Sequence, residues 1–117
     1  MKASEVVRIL DAQVVCGEEY LEEIEVDWAF GADMMSDVLA FVCDKTLFLT
    51  GMLNPHAIRT AEIMDIRCIV FVRGKKATEE MIELALEREM VLLATDKTLF
   101  TSCGLLYEAG LRGCPRK

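Results

Sequence analysis

Residues 46–76 read TLFLTGMLNPHAIRTAEIMDIRCIVFVRGKK, and their order decides the fold. Thr46 to Thr50 is a short apolar run closed by Gly51, the pattern of a strand ending in a turn. Asn54 is a good helix N-cap, and Pro55 falls at the first helical position, where its missing N–H costs nothing. The helix is expected to run to about Asp65 and to bury Ala57, Ile58, Ala61 and Met64. Cys68 to Val72 is apolar throughout, as in the middle of a parallel sheet covered on both faces, and Arg73-Gly74 ends it. Strand, helix and strand in this order make a βαβ unit with a right-handed crossover.

The same alternation continues on both sides. Downstream, Thr78 opens a helix with Met81, Ile82, Ala85 and Leu86 on one face and Glu79, Glu80, Glu83 and Glu87 on the other. Val91 to Ala94 is the next strand. Thr95 or Asp96 then caps a last helix that carries Leu99, Phe100, Cys103, Leu106 and Tyr107 and stops at Gly110. Upstream, Ser4 caps a first helix through about Leu10, with Val6, Val7 and Leu10 as its apolar face. Gln13 to Cys16 is a short strand. Ile24, Val26, Trp28 and Phe30 alternate with Glu23, Glu25, Asp27 and Ala29, which predicts a strand near a sheet edge with one apolar and one acidic face. Asp33 is then expected to cap a helix through about Val42, with Met34, Val38, Leu39 and Val42 inward. The expected fold is α/β: a three-layer sandwich with a mostly parallel sheet, helices on both faces, and an N-terminal helix plus a strand pair. Asp44-Lys45-Thr46-Leu47-Phe48 recurs as Asp96-Lys97-Thr98-Leu99-Phe100, but the flanks differ and no duplication is inferred.

Composition narrows the classes of function. A chain of 117 residues is one domain of ordinary size and needs no metal or disulfide to fold. Net charge is −7 and the isoelectric point is about 4.7, a surface that repels phosphate backbones and argues against nucleic acid as partner. No apolar run approaches the length of a membrane span, and no apolar signal segment follows Met1-Lys2-Ala3-Ser4-Glu5, so a cytoplasmic location is expected. The hydrophobic share of 53% and mean hydropathy of +0.29 leave apolar surface for a second subunit, and a homodimer is expected. Of Cys16, Cys43, Cys68, Cys103 and Cys114, none form a C-x-x-C pair and the spacings match no zinc pattern. Cys43 and Cys68 read as small core residues, in keeping with a reducing compartment.

Ligands of open α/β sheets bind beyond the carboxyl ends of the strands. The polar residues gathered there are Asp33, Thr50, Gly51, Asn54, His56, Arg59, Arg73, Gly74, Lys75, Thr95, Asp96 and Thr98, and these are the candidate ligand-binding residues. Helix N-termini favour an anion, and Arg73 or Lys75 adds charge-assisted hydrogen bonds to a phosphate or carboxylate. Asn54, Asp33, Thr95 and Asp96 also read as plain helix caps, which are very common. No catalytic residue stands out. The chain lacks a P-loop, a G-x-G-x-x-G turn and a nucleophile elbow. His56, its one histidine, falls at a helix N-terminus that disfavours its protonated form, and no partner is evident for Cys103 as a nucleophile. No metal or cofactor is expected. The expected role is a non-catalytic regulatory domain that binds a small anionic metabolite or nucleotide. The alternative is a protein–protein adaptor acting through a dimer or partner surface.

Leu49-Thr50-Gly51 through Asn54-Pro55-His56, Arg59-Thr60-Ala61-Glu62 and Phe71-Val72-Arg73-Gly74-Lys75 resemble the DRTGG domain family. So do Asp33 to Leu39 and the ending Cys103-Gly104-Leu105-Leu106-Tyr107-Glu108-Ala109-Gly110-Leu111. The likeness is to stand-alone members related to the regulatory part of HPr serine kinase. It implies a regulatory module without the kinase's P-loop domain, metabolite or nucleotide sensing, and dimerisation. The literal DRTGG string is missing here, so no ligand role attached to it carries over. The domain is expected to span residues 1–112, with 113–117 as a short, loose tail.

Overall fold

In the computed structural model, which describes residues 1–115, β3 (Thr46–Thr50) and β4 (Cys68–Phe71) form the middle of the sheet, and every residue in both is buried. Five strands lie in the order β1-β5-β4-β3-β2, with β1 (Gln13–Cys16), β2 (Trp28–Gly31) and β5 (Val91–Ala94) completing the set. β2 through β5 are parallel, and β1 pairs antiparallel with β5. The two N-terminal strands therefore do not pair with each other; they occupy opposite edges.

Because neighbouring parallel strands are consecutive in the chain, right-handed crossovers place their helices on one face. There α2 (Met35–Phe41), α3 (Pro55–Ile63) and α4 (Glu79–Glu87) pack side by side. Their core joins Met35, Val38, Ala57, Ile58, Ala61, Met81 and Ala85 to Phe48, Ile69, Phe71 and Leu92 of the sheet. Alternate strand residues Leu47, Leu49, Cys68, Val70, Val91 and Leu93 point the other way. They meet α1 (Ala3–Leu10) and α5 (Leu99–Glu108) through Ala3, Val6, Leu10 and Leu106. The α/β three-layer expectation holds.

Several local expectations need correction. Ile24 and Val26 are buried and Glu23, Glu25 and Asp27 exposed, as the alternation requires, but only Trp28 onward joins the sheet. The earlier half pairs with the N-terminus instead, Ala3 N–H donating to Ile24 O at 2.9 Å and Val26 N–H to Met1 O at 2.7 Å. α1 begins at Ala3 rather than behind a Ser4 cap, with the Glu5 carboxylate accepting from Lys2 N–H at 3.3 Å. Asp33 does not cap α2; Met34 occupies that position, and Met34 and Leu39 are exposed. α5 is capped by Thr98, not by Thr95 or Asp96. Leu86 of α4 and Phe100 and Tyr107 of α5 face outward, with Phe100 89% exposed. Cys43 is no core residue: it forms a disulfide with Cys114, 71 positions away in the sequence. Residues 116–117 of the expected tail lie outside the described residues. Among the described residues no helix is long and apolar enough to cross a membrane.

Candidate functional site at the strand ends

Three loops leaving the carboxyl ends of β2, β3 and β4 are knitted together by side chains. Asp33, after β2, accepts through Oδ1 from Gly51 N–H at 2.7 Å and from the Thr50 hydroxyl at 3.3 Å. The Thr50 oxygen in turn accepts from Met52 N–H at 3.0 Å. From the loop after β4, Lys75 Nζ donates to Gly51 O at 2.9 Å. Arg73 lays its guanidinium over the same glycine: a Cβ at Gly51 would stand 2.5 Å from Arg73 Nη2 and 3.3 Å from Asp33 Oδ1. Gly51 is thus the floor on which one carboxylate and two cations meet.

Arg73 and Gly74 hold consecutive left-handed conformations, with φ of 64° and 67°. For arginine that conformation costs about 1–3 kcal/mol and persists only where neighbours enforce it. Here Arg73 N–H donates to Lys97 O and Gly74 N–H to Thr95 O, both at 2.9 Å. A Cβ at Gly74 would stand 3.0 Å from Asp96 Oδ1. The bend has a topological setting. The chain leaves β4 toward α4 on one face and leaves β5 toward α5 on the other, so the sheet's crevice opens between these two strand ends.

The remaining sequence candidates divide by how their polar atoms are used. Asn54 Oδ1 caps α3 by accepting from Ala57 N–H at 3.2 Å, and the Thr98 hydroxyl caps α5 by accepting from Thr101 N–H at 3.4 Å. Thr95 is buried and donates to Leu10 O at 2.9 Å, tying the end of β5 to α1. Asp96 is exposed beside Gly74. His56 and Arg59 are exposed on α3, and among the described residues no hydrogen bond joins them to the cluster. The sequence reading missed a groove of about 1010 Å³ beside the cluster, lined by Asp11, Gln13 and Val14 together with Lys75, Lys76 and Asp96. Gln13 reaches this rim because β1 runs antiparallel and sets Gln13 opposite Ala94. No local signal in the chain announces that pairing.

Fold and site together define an α/β domain whose parallel strands deliver a cationic, glycine-floored cluster to one rim of the sheet. The chain belongs to the DRTGG domain family, whose model matches residues 5–109. No curated protein matches it at a significant level. Among solved structures it is similar to the regulatory region of Clostridium perfringens pyrophosphatase, comprising CBS and DRTGG domains and crystallised with its activator diadenosine tetraphosphate. That likeness has a TM-score of 0.71 at 16% identity and covers 90% of this chain. The chain corresponds to 45% of the pyrophosphatase fragment.

Proposed function

We propose that this chain is a non-catalytic regulatory domain that binds a small anionic metabolite or nucleotide at the carboxyl ends of its strands. The observation that carries the reading is the Asp33–Gly51–Arg73–Lys75 cluster, which concentrates positive charge over a bare glycine in a protein of net charge −7. Arg73 supplies a planar fork for phosphate or carboxylate. Asp33 orders the loop rather than the ligand, and Asp96, Gln13 and Lys76 offer further polar groups along the adjoining groove. Support comes from the related regulatory region, whose activator carries phosphates between nucleosides. The domain acts in the cytoplasm as a homodimer in this reading, with exposed Leu39 and Phe41 of α2 and Ile63 of α3 available for burial.

The test is a thermal-shift panel of nucleotides, phosphorylated metabolites and inorganic phosphate. A ligand at a hundred times its dissociation constant adds about 2.7 kcal/mol, a shift of about 11 °C for a chain of this length. A hit lost in Arg73→Ala supports the reading; a flat panel removes it. The adaptor reading is favoured by the exposure of Phe41, Ile63 and Phe100, at 57%, 72% and 89%. A flat panel combined with a stable complex captured through those residues would establish it.

A further inference from the structure

We propose that the Cys43–Cys114 disulfide is a thiol–disulfide exchange site, opened by a small thiol of the glutathione class, and that its opening frees residues 113–115 from the turn after α2. The inference is independent of the strand-end site, since Cys43 follows α2 at the opposite end of the sheet from Gly51.

The local structure shows what the bond holds. Leu111 is buried in the core, and Arg112 pairs in parallel with Trp28, its carbonyl accepting from Ala29 N–H at 2.8 Å. The Arg112 guanidinium is itself anchored, 3.8 Å from the centre of the Tyr107 ring and donating to Tyr107 O at 2.6 Å. Up to Arg112 the chain is therefore fixed by ordinary packing. Beyond it, the hydrogen-bond contacts to the rest of the fold among the described residues all pass through Cys114 Sγ. That sulfur accepts from Cys43 N–H at 3.1 Å and lies 3.3 Å from the Thr46 hydroxyl, which donates to Cys43 O at 2.6 Å. The turn between α2 and β3 is thus a small socket for Cys114.

The cysteines differ in access. Cys16 and Cys68 are buried, and burial pushes the Cys68 thiol up to about 12, so neither offers a thiolate at neutral pH. Cys103 is half-buried with its thiol also raised by burial. Both members of the Cys43–Cys114 pair are half-buried at the surface, within reach of a small thiol. Three thiols left free beside one accessible pair suit a chain that meets reductant.

The step balances with two molecules of the small thiol. Its thiolate attacks Cys43 Sγ and breaks the bond to Cys114, which leaves as a thiolate stabilised by Cys43 N–H and takes a proton. A second thiolate attacks the reductant sulfur of the mixed disulfide, releasing Cys43 as a thiolate that is protonated in turn. The protein gains two electrons and two protons, and the small thiol leaves as its own disulfide.

The experiment uses the full chain, oxidised and then incubated in buffers of increasing reduced-to-oxidised glutathione ratio. Thiols are counted after denaturation, and the native samples are followed by hydrogen exchange. The count is expected to rise from three to five in mostly reduced glutathione. The exchange rate of the Cys43 amide, whose acceptor is Cys114 Sγ, should rise at least tenfold. The Ala29 amide, bonded to Arg112 O, should keep its protection. In amide exchange Cys114→Ser should match the reduced protein from the start, with four thiols, and oxidised Cys103→Ser should match the native one, with two. A count of five after oxidation, a pair that survives fully reduced glutathione, or a reduced chain with unchanged exchange at the Cys43 amide would each overturn the proposal.

Discussion

Replacing Asp33 by alanine tests whether the strand-end cluster is held as described. Asp33 Oδ1 is the acceptor for Gly51 N–H and the Thr50 hydroxyl, and both of those residues are buried. Removing the carboxylate orphans a backbone donor inside the rim, which costs about 1–3 kcal/mol for a buried group. Asp33 itself is exposed, so water replaces part of what is lost, and the lower half of that range, about 1–2 kcal/mol, applies. The unfolding entropy of 117 residues makes each kcal/mol worth about 4 °C, so Asp33→Ala should melt about 4–8 °C lower by circular dichroism. Asp33→Asn keeps one acceptor oxygen and should lose less than half as much. Hydrogen exchange then separates this account from a helix-cap role. The Gly51 amide should lose protection while the first amides of α2 stay as they were. A melting point within 2 °C of the parent, or protection lost from α2 with Gly51 unchanged, would refute the reasoning.

Other expectations follow from the same structure. Gly51→Ala puts a methyl group where Arg73 Nη2 now lies, and the guanidinium, being the end of a flexible side chain, swings out. Stability should change by less than about 1 kcal/mol, while affinity for any anion found in the thermal-shift panel should fall about tenfold or more by calorimetry. Thr95→Val leaves the Leu10 carbonyl without its donor and should cost about 1–3 kcal/mol in urea unfolding, whatever ligand is present. Cys68 gives a pH signature. Its thiol is raised from 9.0 to about 12 by burial, so the folded state keeps the proton that the unfolded chain releases. Its contribution is fully present below pH 9.0 and is lost as pH rises toward about 12, at about 1.4 kcal/mol per pH unit. Cys68→Ala should flatten the fall in melting temperature over that alkaline range.

Much of the architecture is legible in one dimension because its causes are local. β3 and β4 announce themselves as continuous apolar runs, and the caps Asn54 and Thr78 sit three residues before the amides they satisfy. Alternating strands and helices then leave little choice but a parallel sheet with crossovers. The recognition of Arg73, Lys75, Gly51 and Asp33 as neighbours also began in the chain, since parallel strands bring their carboxyl ends to one rim. What that rule could not supply is the use each residue makes of its atoms. Asp33 and Thr95 carry the composition of helix caps, yet one reaches 18 residues along the chain to Gly51 and the other 85 back to Leu10. A short polar side chain satisfies whichever donor or acceptor lies nearest in space, and only the packed structure says which that is.

The face of α5 shows the same division. With about 100° of turn per residue, Leu99, Ser102, Cys103 and Leu106 share one side. Ser102 is buried there with an unpartnered hydroxyl, so the true centre of the face passes through a polar residue that a hydrophobic pattern skips. Phe100 and Tyr107, one step round the helix, are apolar or aromatic in character and lie outside. By itself the sequence determined the class of fold, the order of its elements and the rim where charge collects, because period, caps and charge act over a few residues. Tertiary structure alone decided that β1 and β2 take opposite edges, that Gln13 and Lys76 line one groove, and that Cys43 meets Cys114. Those are pairings between distant segments, set by how whole layers pack, and no short-range preference of the chain encodes them.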